Sequence, residues 1–483
     1  MMHSRRNIVG LLAGTAASAS LAPWHVFAQA ARPSDVMDAL SAYMSEAHNR
    51  ALPEEAVEQA KQHLLDTLSA MISGSELPPG QAALRYVREQ GGNGTITVIG
   101  SSLTSSAVDA ALANGVMTHA DETDDSHNES RSHPGCAVVP AALAAGETFG
   151  IDGTALLRAV ALGYDIGPRV VMAMGGAGFS YDSSLATHSI AGTFGAAAAA
   201  ACAAGLEARQ MRWLLDYAAQ QSSGIVAWRR DTDHIEKAFV FAGMPARNGV
   251  TAALLVKSGW NGVDDIFSGP DNFFAAYAPK AQPERLIEKL GVRYEIARTD
   301  IKKWAVGSPI QGPLDAVEAI RTKRPFDADQ VKQVVVRLAP SVAAVVDNRD
   351  IPDICVQHMI AVMLVDKTVS FHAAHDKARM QDAVVLKQRA KVNLVRDDEL
   401  AKLLPVRETV VEIAFTDGSQ ASERVSAVRG TPRNPMERTE VIDKARDLIA
   451  PVLGRDPFAR LVEAVFDIER VPDVRSLRRL LQR

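Results

Sequence analysis

The stretch "SIAGTFGAAAAAACAA", Ser189 to Ala204, carries no charged side chain and is small or apolar on every side. A helix with no solvent face has to be central, and its short side chains let neighbouring helices come close. The stretch therefore predicts a helix-on-helix domain built around residues 189–204. Working outward, "EEAVEQAKQHLLDTLSAMIS", Glu54 to Ser73, sets Val57, Ala60, Leu64, Leu65, Leu68 and Met71 on one face of an amphipathic helix. Helices with few charges are expected at 137–149 and 155–165. "GTITVIGS" is a short strand-like interruption, with Thr104 or Ser105 capping the helix that follows it.

The pattern changes after about Leu290. "QVKQVVVRLAP" alternates and is rich in valine, and "TVVEIAFTDGSQASERVSAV" is two alternating runs around Asp417-Gly418, a strong hairpin signal. "DICVQHMIAVMLVDKTVSF" and "ARMQDAVVLKQRAKV" read as helices between these runs. The expected fold is mainly α with an α+β insert. A helical domain spans residues 34–295, a smaller α+β lid spans 296–430, and C-terminal helices over 431–483 return to the helical domain.

The net charge of −5 gives no general attraction to nucleic acid or anionic lipid, so an anionic ligand needs a local cationic pocket. Residues 1–30 read as a secretory signal. Ser4-Arg5-Arg6 precedes an apolar stretch from Ile8 to Pro23 and the small-residue pattern Ala28-Gln29-Ala30. The arginine pair points to the twin-arginine type, with Ile8-Val9-Gly10 where Phe-Leu-Lys is usual. A soluble, periplasmic mature protein without stable membrane association is expected, since no other window approaches the roughly 18 uninterrupted apolar residues of a bilayer-crossing helix. Cys136, Cys202 and Cys355 are far apart and form no Cys-x-x-Cys pair. They are expected to be buried, inert thiols rather than cluster ligands or a disulfide framework.

The chemistry-bearing stretch is "HADETDDSHNESRSHPG", His119 to Gly135. Asp121, Glu122, Asp124, Asp125, His127, Glu129 and His133 permit a metal site, yet no metal-binding helix spacing such as His-Glu-x-x-His is present. An acid/base site needs less: an imidazole titrating near neutrality, with hydroxyls and cations to hold a carboxylate. His188, at the start of the alanine-rich helix, and Lys237 and Lys302, beside apolar and Gly/Pro-rich segments, are candidate partners. At a helix N-terminus the dipole lowers an imidazole's proton affinity and favours bound anions.

"ANGVMTHADETDDSHNESRSHPGCAVVPAALA", "THSIAGTFGAAAAAACAAGL", "EKAFVFAGMPARNG", "KKWAVGSPIQGPLDA" and "CVQHMIAVMLVDKTVSF" occur in the order seen in the MmgE/PrpD family, which this chain resembles over essentially its whole mature length. That family includes 2-methylcitrate dehydratase, cis-aconitate decarboxylase and iminodisuccinate epimerase. The resemblance implies an all-α domain with an α+β lid, homodimers, and a site between the two that uses neither cofactor nor metal. It places catalytic roles on His133, His188, Lys237 and Lys302. Glu122 falls on the family's leading Asp and Ser126 on its Thr. The spacer before His133 and the segment after Lys237 are each one residue longer than in the decarboxylase pattern, and Gln311 stands where many relatives have His.

On this reading the protein is a lyase, a dehydratase or decarboxylase acting on a small di- or tricarboxylate by moving a proton next to a carboxylate. His133 and His188 are the acid/base pair. Lys237 and Lys302, supported by Arg247 or Arg230, hold substrate carboxylates, and Glu122, Ser126 and Gln311 complete substrate binding. An epimerase of an iminodisuccinate-like substrate, a periplasmic carboxylate-binding protein without turnover, and a metal-dependent hydro-lyase are the alternatives.

Overall fold

The computed structural model describes residues 32–91 and 94–483; the signal sequence expected over 1–30 lies outside them. The alanine-rich segment forms the helix Thr187–Ala204, and every one of its residues is buried. It is crossed by the helix Gly153–Met174, which continues well past the expected end at 165, and by the helix Met244–Lys257. The backbones approach so closely that a Cβ at Gly167 would lie 2.4 Å from the carbonyl oxygen of Ala191, and one at Gly249 2.4 Å from the amide nitrogen of Ala197. Glycine and alanine are what make this crossing possible.

Around this centre pack the helices Glu54–Gly74, Ala107–Thr118 and Gly135–Phe149. Thr104 and Ser105 pair as a two-residue strand with Ile96–Thr97, and the N-cap falls one residue later than expected, on Ser106, whose side chain accepts the Asp109 amide. The helical run Ile235–Lys257 is long and apolar enough by mean hydropathy to cross a membrane, but 72% of its apolar window is buried inside the molecule, as in a core helix.

The apolar residues divide into two main cores. The first gathers residues from Met37 to Ile301 and then Met436 to Leu481. The second is built from Trp304 to Phe415. The second core backs a four-stranded sheet in the order Val392–Arg396, Val331–Leu338, Thr409–Phe415, Gln420–Val425, with the first pair parallel and the others antiparallel. The Asp417-Gly418 turn joins the last two strands, with Gly418 at φ +87°, a conformation glycine adopts without a Cβ penalty. The strand Val392–Arg396 was not apparent in the sequence pattern. After the sheet, the helices Arg438–Leu453 and Arg455–Phe466 rejoin the first core. There Lys444 pairs with buried Asp66 at 2.6 Å and donates to the Thr123 carbonyl at 3.0 Å. All three cysteines are buried and unpaired, as expected.

Candidate active site

The loop 119–135 joins the helices Ala107–Thr118 and Gly135–Phe149, and three features fix its course. Ser126–His127 forms a short antiparallel pairing with Thr299–Asp300, which brings the entry to the second core alongside the loop. Asp125 is a structural anchor. It accepts hydrogen bonds from His63 Nδ1 (2.9 Å), the Tyr164 hydroxyl (2.5 Å) and the Gly135 amide (3.0 Å). Asp121 forms a 2.8 Å ion pair with His375, a residue of the chain's second half. Burial alone would lower the proton affinity of His375, but Asp121 prevails and raises its pKa to about 9.

The loop carries a buried Asp–His arrangement. Asp124 accepts from His133 Nδ1 at 3.2 Å through one oxygen and from His119 Nδ1 at 3.0 Å through the other. Donation from Nδ1 leaves Nε2 of His133 as the proton acceptor. Burial lowers the pKa of His133 despite the opposing pull of Asp124. Asp124 itself is buried, yet the two imidazoles hold it well below the usual carboxylate range.

Phe241 organises the aromatic side of the site. It stacks on His188 at 4.1 Å and on His119 at 4.5 Å, and meets Trp228 edge-on at 4.8 Å. It lies in a π-helical turn, Phe239–Gly243, inside the run from Ile235 to Lys257. A π-turn holds one extra residue per turn and is frequent at functional sites. His188, the second residue of its helix, is neutral over a wide range, because burial and then His133 push its pKa well below the ordinary value.

Glu122 is buried between the two lysines. Lys237 pairs with its carboxylate, while Lys302 donates to its backbone carbonyl at 2.8 Å and lies 3.7 Å from Asp124. Burial raises the proton affinity of Glu122, but Lys237 and then Lys302 outweigh it and keep the group ionised. The lysines therefore neutralise protein carboxylates first, which differs from the sequence expectation that they meet substrate directly.

A cavity of about 370 Å³ opens onto this cluster. Glu122, Ser126, His133, His188 and Lys237 line it, together with residues the sequence reading missed: Arg131, Tyr181, Trp228, Arg229, His234, Arg349 and Arg407. Arg229, Arg349 and Arg407 make no ion pair among the described residues. A second cavity of about 440 Å³ adjoins it, sharing Ser126, His127, Ser308 and Arg407, and includes Lys302, Gln311 and Asp300. Burial pushes the pKa of Asp300 up to about 7.

Two expected substrate ligands are corrected. Arg247 is absent from both cavity linings; its guanidinium bonds the neighbouring Asn248 at 3.1 Å and lies over Phe239, two turns earlier in the same helical run. Arg230, its stand-in, lines neither cavity. Gln311 borders the second cavity, but its amide is engaged by backbone. It accepts from Trp304 N–H at 3.0 Å and donates to the carbonyls of Trp304 (2.7 Å) and Val306 (2.9 Å). It shapes the loop after Lys302.

Two overlapping sets of groups, His119 with Asp124 and His133, and His119 with Glu122 and His234, bring ligand atoms within 4.8 Å of one another and could hold a cation. In both sets the carboxylate already has partners, Asp124 its two imidazoles and Glu122 its lysine. The ammonium groups of Lys237 and Lys302 also add repulsion toward a second cation.

Residues 38–286 match the MmgE/PrpD N-terminal domain and residues 304–468 the MmgE/PrpD C-terminal domain. The chain belongs to the MmgE/PrpD family. Among its relatives, a cis-aconitate decarboxylase-like protein oryM of Aspergillus oryzae is 25% identical over 463 residues, covering 89% of this chain and 94% of the relative. The cis-aconitate decarboxylase of Aspergillus terreus is 24% identical over 464 residues, covering 89% and 92%. That of Homo sapiens is 25% identical over 452 residues, covering 89% and 91%. The family matches cover both the alanine-helix domain and the sheet-bearing segment.

Proposed function

We propose that this MmgE/PrpD protein is a lyase that acts on a small di- or tricarboxylate by transferring a proton at a carbon next to a carboxylate. The observation that carries the proposal is the Asp124–His133 hydrogen bond in a cavity lined by unpaired arginines. His133 Nε2 moves the proton. Arg131, Arg349 and Arg407 bind substrate carboxylates, a guanidinium fork being matched to that geometry. His188, held neutral, donates a hydrogen bond to the carboxylate on which charge accumulates, where a preformed donor lowers the barrier most. The Lys237–Glu122 pair keeps the floor of the site ionised but close to neutral.

Decarboxylation is the first choice, supported by the names of the relatives, and dehydration the second. In decarboxylation the carbon–carboxylate bond breaks, its electron pair passes into the neighbouring unsaturated acid, carbon dioxide leaves, and protonated His133 supplies the proton to carbon. In dehydration neutral His133 takes the carbon-bound proton, the electron pair left on carbon forms the double bond as the carbon–hydroxyl bond breaks, and the departing hydroxyl takes that proton back from His133 to leave as water. None of the relatives named above is an isomerase, and the epimerase reading has no separate support. Export by the twin-arginine route to the periplasm and a homodimeric assembly belong to the same proposal. They are supported by Ser4-Arg5-Arg6 with its apolar stretch and by family membership, respectively.

The test is proton NMR of the protein in D₂O with citrate, 2-methylcitrate, cis-aconitate and iminodisuccinate. Deuterium appearing at a carbon next to a carboxylate supports the proposal. Saturable binding with neither exchange nor product points to a carboxylate-binding protein instead.

A further inference from the structure

The first cavity has two unlike sides. One is the polar cluster of His133, His188, Lys237 and Arg131. The other comes from a single segment of the second core, whose Val342, Ala344, Val345, Val346, Ile351 and Ile354 all line the space. Only Ser341 and Arg349 from this segment interrupt the apolar lining. Val342 and Val346 are anchored in the second core, whereas Val345 is 41% exposed.

A small, fully hydrophilic tricarboxylate would leave this wall facing water or charge. Apolar surface in a binding cavity favours a ligand that covers it with carbon, and pockets of this size bury most of a ligand's surface. The unpaired arginines still require an anion, and Arg349, in the middle of the wall, limits how far the apolar portion extends.

We propose that the substrate is an amphipathic carboxylic acid: a dicarboxylate whose carboxylates meet the histidine–arginine side and which carries an alkyl or aryl substituent packed on the 342–354 wall. This rests on the acid/base reading for its chemistry but not for its binding. Val345 and Val346 are then specificity-determining residues.

The test measures binding of a series of succinates bearing hydrogen, methyl, propyl, butyl or phenyl at carbon 2, each with an exchangeable proton next to a carboxylate, by calorimetry on the intact protein, with deuterium exchange followed in parallel. Affinity is expected to rise about fourfold per added methylene, and Val345→Ser to shrink that gain while the circular dichroism spectrum stays unchanged. Affinity that is flat or falls with substituent size, or no binding by any member, overturns the inference. Exchange that proceeds equally well on unsubstituted and substituted acids overturns it while leaving the acid/base reading intact. Affinity that climbs with the substituent without any exchange upholds it and removes the acid/base reading.

Discussion

Asp124 accepts the Nδ1 proton of His133 at 3.2 Å, and both side chains are largely withdrawn from water. The bond fixes which imidazole nitrogen is free and also raises its basicity against the desolvation that lowers it. Asp124→Asn keeps the shape but removes the charge. It is expected to lower exchange about 10²-fold or more and to move the acid limb of the rate profile to lower pH. A pH–rate profile of the variant checks this; an unmoved limb with full activity would remove the role.

The wild-type profile has a predicted sign of its own. With its pKa held below the ordinary 6.5, His133 stays neutral, and competent to take a proton, to below that pH. Proton abstraction, read as deuterium exchange, should therefore be level near pH 7 and fall on the acid side only below about 6.5, whereas decarboxylation, which draws its proton from protonated His133, should gain on that side.

Stability is predicted to fall on both sides of neutrality. Burial, and then Lys237, bring the pKa of His234 down to about 3, so the unfolded chain takes up a proton there that the folded chain refuses. That contribution is complete above about pH 6.5 and declines as the pH drops toward 3. The His375–Asp121 pair works in the opposite sense. The pKa of His375 is raised to about 9, so its contribution is full below about 6.5 and is lost as the pH rises through 9. Urea midpoints at pH 5, 7 and 9.5 measure both limbs, and His375→Ala should flatten the alkaline one.

Gly135 sits where the loop meets its anchor. A Cβ there would lie 2.5 Å from the Tyr164 hydroxyl, 2.8 Å from Thr67 Oγ1 and 2.9 Å from Asp125 Oδ2. Gly135→Ala should cost about 1–3 kcal/mol and reduce exchange by shifting the loop that carries Asp124 and His133. Gly178→Ala, with nothing within 4 Å, is the control, read by thermal unfolding.

Arg349 and Arg407 line the cavity without an acidic partner among the described residues. Replacing either with alanine should weaken substrate binding about ten- to a hundredfold, the worth of one charged hydrogen bond. The change should appear in KM more than in kcat.

Much of this was legible because it is local. Residues 189–204 could only be a central helix, Asp417-Gly418 could only be a tight turn, and Glu122, His133 and His188 sit in recognisable stretches. The arginines of the cavity were invisible for the opposite reason. Arg131, Arg229, Arg349 and Arg407 come from four separate segments, and only tertiary packing shows which surface arginines turn inward. Arg247 misled because a side chain farther along the same helical run can face elsewhere, and Gln311 because an amide suits a backbone loop as well as a substrate. Phe241 lies in a recognisable stretch too, but its π-turn and the four ring contacts it makes, to His119, His133, His188 and Trp228, emerge only in the fold.

The central claim is that His133 carries the proton, and the most direct measurement is deuterium exchange into a bound carboxylate by the wild-type protein and by His133→Ala, each shown to be folded. The account predicts a loss of about 10²–10⁴-fold in the variant with binding largely kept. Exchange at the wild-type rate in a folded His133→Ala protein would contradict it.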